Sequence, residues 1–202
     1  REEQTSPLRY IWAFHAPITS HPGTSRAVIR VTFLGTAASR PTVGRNVSGL
    51  AVQREGDLML FDCGEGTQRQ MMRYGTGFAV RDIFVTHLHA DHCGWNTTLV
   101  DGRGVLTFPN AKYIFSKVEY AAAEARNDII FQESALPVME AGKAQLVDLD
   151  FALDDQVWLL STPGHTAGHV AVNLASNGHA AVMCGDLIHS PIQCAPPEWS
   201  PK

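Results

Sequence analysis

Residues 86–92 restrict what this chain can be more than any other part of its sequence. They read THLHADH, so that His87, His89, Asp91 and His92 bring three imidazoles and one carboxylate together within six residues. Imidazole nitrogens and carboxylate oxygens are ligands that suit zinc, and also manganese or iron. The alternative is a polar turn at a strand end, but near-adjacent histidines have little packing value there. The segment therefore predicts a metal site.

The spacing within this segment predicts two neighbouring binding points. Side chains alternate along an extended strand end, so His87 and His89 project to the same side. The chain then turns, and Asp91 and His92 face a second point nearby. Two adjacent metal ions can thereby share one short segment of the chain.

Two later segments offer further ligands. Residues 162–169, TPGHTAGH, form a turn shaped by glycine and proline that presents His165. Asp186 follows the apolar run 180–184, and an aspartate at the carboxyl end of a buried strand is costly unless it is paired or binds a cation. Each segment alone is a weak signal, but together with residues 86–92 they complete a ligand set.

Length and composition fit a single globular enzyme domain. The 202 residues suffice for one well-buried domain, and 45% hydrophobic with 18% charged residues is ordinary for such a protein. The formal charge of −4 argues against a chain that wraps nucleic acid by charge alone. No apolar run approaches the ~18 residues that span a bilayer, so no membrane partner is expected. The four cysteines form no CxxC pair, which favours reduced thiols and a cytoplasmic location.

Periodicity divides the chain into a leader and one domain. Residues 1–27 lack clean periodicity and are predicted to form a leader or mobile arm, whereas residues 28–202 form the domain. Strands are predicted at 28–34, 47–53, 58–61, 82–85, 112–115, 157–160, 169–174 and 180–184. Helices are predicted at 67–74 with Gly75 as C-cap, from Ser116 as N-cap to about Asn127, and at 134–141. Strand-rich halves separated by helices indicate a layered α/β architecture with two sheets covered by helices.

The order HxHxDH, distant histidine, aspartate resembles the pattern of the metallo-β-lactamase superfamily, from about Val31 to Asp186. This resemblance implies an αββα sandwich and two divalent metal ions, with zinc first and manganese or iron as alternatives. It assigns six metal ligands: His87, His89 and His165 to the first metal, Asp91 and His92 to the second, and Asp186 to both. It also implies that Asp62 and His169 support these ligands without binding metal.

The two halves of the chain resemble different branches of this superfamily. Up to His92, residues 33–36 (FLGT), 45–48 (RNVS) and 61–68 (FDCGEGTQ) resemble ribonuclease Z, the tRNA 3′-processing endonuclease. Beyond it, residues 93–96 (CGWN), 108–111 (FPNA) and 185–189 (GDLIH) resemble lactonases and organophosphate hydrolases. The tRNA-gripping arm and the late His-Glu-Ala-Thr motif expected of a ribonuclease Z do not occur in the sequence.

One expected ligand is not found. The last histidine ligand of the superfamily should lie well beyond Asp186, where His189 is the only histidine. We therefore expect the sandwich to lack its C-terminal strand and helix. The second metal, left with Asp91, His92 and Asp186, should then bind weakly.

These features predict a metal-dependent hydrolase whose partner is a small-molecule substrate: an ester, a lactone or a phosphotriester. A hydroxide shared by two metals attacks the substrate, while Asp91 orients it and passes a proton to the leaving group. One alternative is a ribonuclease Z-type endonuclease acting on tRNA, which a basic face beside the cleft would favour. Arg69, Arg73 and Arg81 are candidates for such a face. Another alternative is a truncated or degenerate metal-binding domain without activity. Many relatives are dimers, so a homodimer is a further expectation.

Overall fold

The computed structural model describes residues 27–189 and residue 193. The strands in this part of the chain are β1 (Arg30–Gly35), β2 (Gly49–Arg54), β3 (Asp57–Phe61), β4 (Val80–Phe84), β5 (Thr97–Val100), β6 (Arg103–Leu106), β7 (Lys112–Ser116), β8 (Ala144–Val147), β9 (Val157–Ser161), β10 (Val170–Ser176) and β11 (His179–Met183). The helices are α1 (Thr67–Tyr74), α2 (Ala90–Cys93), α3 (Lys117–Arg126), a π-helix (Phe131–Ala135), α4 (Leu136–Glu140) and a 3₁₀ turn (Gly185–Leu187). None of these helices is long and apolar enough to cross a membrane.

The strands form two main sheets and a separate hairpin. Six strands form a mixed sheet in the order β1-β2-β3-β4-β7-β8, and three form an antiparallel sheet in the order β11-β10-β9. β5 and β6 pair only with each other. Pairing is antiparallel from β1 to β3 and parallel from β3 to β8. Because parallel strands end at the same edge of a sheet, the residues that follow β3, β4 and β7 are brought together.

Two hydrophobic cores lie on opposite faces of the six-stranded sheet. The alternation of β3 shows this directly, since Leu58 and Leu60 belong to one core and Met59 and Phe61 to the other. The first core contains buried side chains of α1, α3 and α4, and the second contains side chains of the three-stranded sheet. Within the described residues the layers are therefore helices, sheet and sheet, and the predicted layered α/β class is confirmed.

Local signals account for several element boundaries. α1 spans the predicted residues and ends at Gly75, whose φ of 63° is the left-handed conformation that glycine adopts without strain. α3 begins after Ser116, whose Oγ accepts a hydrogen bond from the N–H of Glu119 at 3.0 Å, and ends at Asn127. The predicted hairpin of β2 and β3 is also confirmed.

Other elements differ from the prediction. β5, β6 and β8 were not predicted, because β5 and β6 are mostly exposed and carry little hydrophobic alternation. The Asp101-Gly102 pair between β5 and β6, with φ values of 50° and 76°, was nevertheless a visible hairpin signal. The predicted helix at 134–141 is wrong in its boundaries: a π-helix at 131–135 leads into α4, which carries Pro137 in its first turn. The predicted leader lies outside the described residues apart from Ala27.

Candidate metal centre

The predicted ligands meet where several strands end. Asp62 directly follows β3, and His87 lies three residues after β4, its parallel neighbour. α2 begins after His89 and turns the chain so that His92 points back into the protein. Backbone hydrogen bonds fix this turn, since the N–H of Cys63 donates to the carbonyl of His92 at 2.6 Å. The segment of the sequence that predicted two binding points is therefore held against the end of β3.

Three imidazoles converge to form the first ligand group, which consists of His87, His89 and His165. The Nδ1 atom of His89 lies 3.0 Å from the Nε2 atoms of both His87 and His165. The three ligand atoms all lie within 4.8 Å of one another, as metal ligands must. Burial, together with the neighbouring imidazoles, lowers the pKa of His87 well below its ordinary value, and the pKa of His89 is lowered mainly by burial. His87 and His89 are thus neutral at pH 7, the state in which imidazole binds a metal.

The second ligand group surrounds His92. Its Nε2 atom lies 3.3 Å from Oδ2 of Asp91 and 3.1 Å from Oδ1 of Asp186. This nitrogen is fully buried and makes no hydrogen bond to the described residues. Burial alone would lower the pKa of His92, but the surrounding carboxylates, Asp62 foremost, raise it to about 12. The carboxylates around Nε2 therefore favour a positive charge there, either a proton on the ring or a metal ion bound to the neutral ring, and the donor set fits a divalent metal.

Asp62 orients two of the candidate ligands, His92 directly and His87 through Thr86. Its carboxylate accepts hydrogen bonds from the N–H of Thr86 at 2.8 Å, from the Thr86 hydroxyl at 3.0 Å and from Nδ1–H of His92 at 2.7 Å. Oγ1 of Thr86 in turn lies 3.1 Å from Nδ1 of His87. With Nδ1 of His87 and His92 occupied in this way, the Nε2 atom of each faces the site. Thr86 is a supporting residue that the sequence reasoning missed, although it lies within the motif.

His169 holds the segment that carries Asp186. It is fully buried, with Nδ1 2.8 Å from Oγ1 of Thr162 and Nε2 accepting the N–H of Asp186 at 3.2 Å. Both ring nitrogens are engaged, which fits a supporting role. Gly185 makes this approach possible, since a Cβ there would lie 2.8 Å from Nε2 of His169.

Glu119 connects the two ligand-bearing loops, and the sequence reasoning did not foresee this. Its carboxylate is buried and accepts the N–H of Leu88 through Oε1 and the N–H of Gly168 through Oε2, both at 3.0 Å. Gly168 must be glycine, because a Cβ would lie 2.1 Å from the backbone nitrogen of Glu119. A glutamate three residues after the N-cap Ser116 is typical of a helix start, but the Glu119 side chain binds the two loops instead.

Ser39 contacts the site from the loop between β1 and β2. Its N–H donates to Oδ2 of Asp91 at 2.7 Å. Burial by itself would raise the pKa of Asp91, but His92 and the Ser39 N–H bring it below its ordinary value. Asp91 is therefore ionised at neutral pH. No sequence signal pointed to Ser39.

Helices lie on one face of a mixed sheet and a second sheet lies on the other, and a group of three histidines and a group of one histidine with two carboxylates meet at the strand ends. This arrangement is that of an α/β protein with a candidate metal site. Residues 42–197 match the metallo-beta-lactamase superfamily, and the chain belongs to this superfamily. The superfamily typically binds divalent metals, and the two ligand groups are present here.

The comparisons find a partial likeness to ribonuclease Z and the same fold in a hydrolase and a lactonase of known structure. The ribonuclease Z of Myxococcus xanthus is 65% identical over 66 residues, which make up 33% of this chain and 22% of that protein. The hydrolase AbOPH of the beta-lactamase superfamily has a TM-score of 0.65 at 23% identity over 75% of this chain and 60% of its own. AidC, a dizinc quorum-quenching lactonase, has a TM-score of 0.56 at 20% identity over 76% of this chain and 69% of its own. These two structures share the fold, whereas the chain spans about a fifth of the ribonuclease Z.

Proposed function

We propose that this protein is a metal-dependent hydrolase of a small ester, lactone or phosphotriester. The observation that carries the proposal is the convergence of two ligand groups, three imidazoles on one side and His92 with two carboxylates on the other. When bound there, divalent metal ions, zinc first, lower the pKa of water towards neutrality and polarise the scissile group.

Asp91 is the residue of this chain that we assign to proton transfer. Its lowered pKa keeps the carboxylate able to accept a proton at neutral pH. The Ser39 N–H binds Oδ2 and so fixes the direction of the carboxylate. The Asp91 side chain is partly buried but remains 11% exposed, so it can contact a small molecule from solvent. We propose that it orients the attacking water and then passes the proton to the leaving group.

The small-molecule substrate class is supported by the second half of the sequence. Residues 93–96, 108–111 and 185–189 resemble lactonases and organophosphate hydrolases. Residues 162–169 and 185–187 of this half border the ligand groups, through His165 and Asp186. The half of the chain that contributes these two ligands is thus the half with the small-molecule likeness.

A His89→Ala variant tests this proposal, with His179→Ala as a control because His179 is exposed on β11 outside the site. Both would be loaded with zinc and assayed on a panel of lactones, aryl esters and phosphotriesters, alongside elemental analysis. We expect the His89 variant to lose hydrolysis and bound zinc and the control to retain both. Unchanged hydrolysis and metal content in the His89 variant would exclude the assigned centre.

A second candidate, an endonuclease of the ribonuclease Z type, is supported by a basic groove. The groove, about 370 Å³ in volume, lies between α1 and the loop that carries Ser39. Its lining includes Arg45, Arg69 and Arg73 and no acidic residue. Arg81, by contrast, is paired with Asp57 and Asp82 and is not part of it. These three guanidinium groups form no ion pair with any residue that the structure describes, and they lie beside a loop that reaches the candidate metal centre, which suits the phosphates of an RNA strand.

Cleavage of precursor tRNA by the zinc-loaded protein tests this second candidate. If RNA is the substrate, an Arg69→Ala, Arg73→Ala double variant should lose RNA cleavage and keep lactone or ester hydrolysis. Arg103→Ala, an exposed arginine on β6, is the matched control. Absence of RNA cleavage by the unaltered protein excludes the candidate.

A further inference from the structure

Asp186 presents its two carboxylate oxygens to different neighbours. Oδ1 faces the Nε2 atom of His92 at 3.1 Å. Oδ2 faces Nε2 of His165 at 3.5 Å and Nε2 of His189 at 3.1 Å. His189 therefore lies beside the metal centre, on the side of Asp186 that is turned away from His92.

The turn after β11 places His189 there. Gly185–Leu187 forms a 3₁₀ turn, and the extended Ile188 then brings the next residue back over Asp186. The N–H of His189 donates to Oε1 of Gln193 at 2.7 Å, which holds the backbone at this point. The side chain of His189 is only about one-quarter exposed, close to the 26% of His165.

The neighbours of His189 form a metal-binding donor set. The ligand atoms of His165, Asp186 and His189 all lie within 4.8 Å of one another. The rings of His165 and His189 are 5.2 Å apart at 59°, so each offers a nitrogen without stacking on the other. Two imidazoles and one carboxylate are a ligand combination that zinc uses in catalytic sites.

We infer that His189 is a metal ligand of this protein, acting with His165 on the Oδ2 side of Asp186. This inference rests on the proposed metal centre and extends it by one residue. No ligand beyond Asp186 is expected from the sequence, whereas the structure places His189 beside Oδ2 of Asp186, with His165 rather than with His92.

The competing explanation is that His189 only donates a hydrogen bond to Asp186 and thereby positions it. A His189→Gln variant separates the two, because the glutamine amide keeps a hydrogen-bond donor but is a poor zinc ligand. His189→Ala removes both functions, and His179→Ala controls for the loss of a histidine elsewhere. All variants would be made in the full chain.

Zinc affinity, measured by competition with a chromophoric chelator, is the first readout. We expect His189→Ala and His189→Gln each to weaken binding by at least about tenfold and His179→Ala to leave it unchanged. X-ray absorption of the zinc-loaded proteins is the second readout, and the number of imidazoles per metal should fall in both His189 variants. Wild-type affinity and an unchanged imidazole count in His189→Gln would overturn the inference.

The same titration separates the inference from the proposed function. If the unaltered protein binds no zinc, the proposed centre and the inference both fail. If it binds zinc and His89→Ala abolishes binding while His189→Ala does not alter it, the centre stands and only the inference fails.

Discussion

The candidate metal centre consists of a buried base and an open rim, and the side chains of the two parts are held in different ways. The base comprises residues that are at most 2% exposed: Asp62, Thr86, His87 and His92. The rim comprises partly buried or exposed residues in loops and short helical turns: His89, Asp91, His165 and Asp186. The base follows strands of the six-stranded sheet, whereas Asp186 follows the end of the three-stranded sheet.

The difference shows which side chains of the site are oriented by the protein's own hydrogen bonds. In the base, Asp62 and Thr86 satisfy the Nδ1 atoms of both histidines, so the rings are oriented by the protein alone. In the rim, the contacts of His89 and His165 run between potential ligand atoms. Nitrogen and oxygen atoms that face each other in this way compete for the same proton unless a cation lies between them. The base is therefore preorganised by hydrogen bonds, and the rim depends on the cation it would bind.

The largest effect is expected from Asp62→Asn, which breaks the base. An amide of the same size cannot accept all three hydrogen bonds of this buried carboxylate, and asparagine tolerates the φ of 62° at this position. We expect the free energy of unfolding to fall by about 3 kcal/mol, as measured by urea denaturation. Asp148→Asn is the control, since its pair with Lys117 is exposed. Equal losses in the two variants would mean that the base is not preorganised as described.

Glu119→Gln tests the connection between base and rim. The amide can accept only one of the two N–H groups that the carboxylate now binds, and it turns a donor towards the other. We expect a loss of about 2 kcal/mol in the free energy of unfolding, together with weaker zinc binding. Glu124→Gln, exposed on the same helix, should change neither quantity. A variant that lost stability without losing zinc affinity would show that Glu119 serves the fold alone.

Removal of the metal should loosen the rim and leave the base unchanged. With chelator present, we expect the N–H of Asp186, bonded to His169, to exchange its hydrogen about tenfold faster than in the zinc-loaded protein. The N–H of Thr86, bonded to Asp62, should exchange at the same rate in both states. Hydrogen exchange followed by NMR measures both amides in one sample. Equal acceleration of both would remove the distinction between base and rim.

The sequence indicated the candidate ligands, which the structure brings together, but missed several of the residues that hold them in place. Asp91, His92 and His165 could be recognised from short stretches of sequence. Asp91 and His92 stand in a cluster of residues with metal-binding chemistry, and His165 lies in a turn that contains glycine and proline. Glu119 and Ser39 act on residues 31 and 52 positions away. Their roles depend on how the strands pair, and no local pattern encodes that. A carboxylate at a helix start and a serine in a loop have ordinary local explanations.

The fold shows the same limit. α1 and α3 were predictable because caps and hydrophobic spacing are local, and β2 and β3 because their hairpin is short. β8 is a half-buried four-residue edge strand that gains its identity by pairing with β7. A strand of this kind is specified by its neighbour more than by its own residues.

The smallest loss of unfolding free energy is expected from removing an ion pair that is remote from both base and rim. This loss is the reference with which the larger losses are compared. Arg54 binds Asp154 at 2.6 Å, joining the end of β2 to the loop before β9. Burial alone would raise the pKa of Asp154, but the hydrogen bond and charge of Arg54, together with the N–H groups of Gln156 and Val157, outweigh it, so the pKa lies below the ordinary 3.8. A carboxyl whose pKa is lowered on folding stabilises the protein above its unfolded pKa, and the contribution disappears as the pH falls through the folded pKa.

Asp154→Asn should therefore cost about 1 kcal/mol of unfolding free energy at pH 7 and at pH 5, where the carboxylate is ionised in both states. The difference from the unaltered protein should shrink at pH values below 3.8. Urea denaturation at several pH values measures it. A difference that stayed constant through this range would mean that the aspartate acts through packing or backbone hydrogen bonds rather than through its charge. The loss of unfolding free energy in the base variant at pH 7 would then have to be compared with that of a different ion pair.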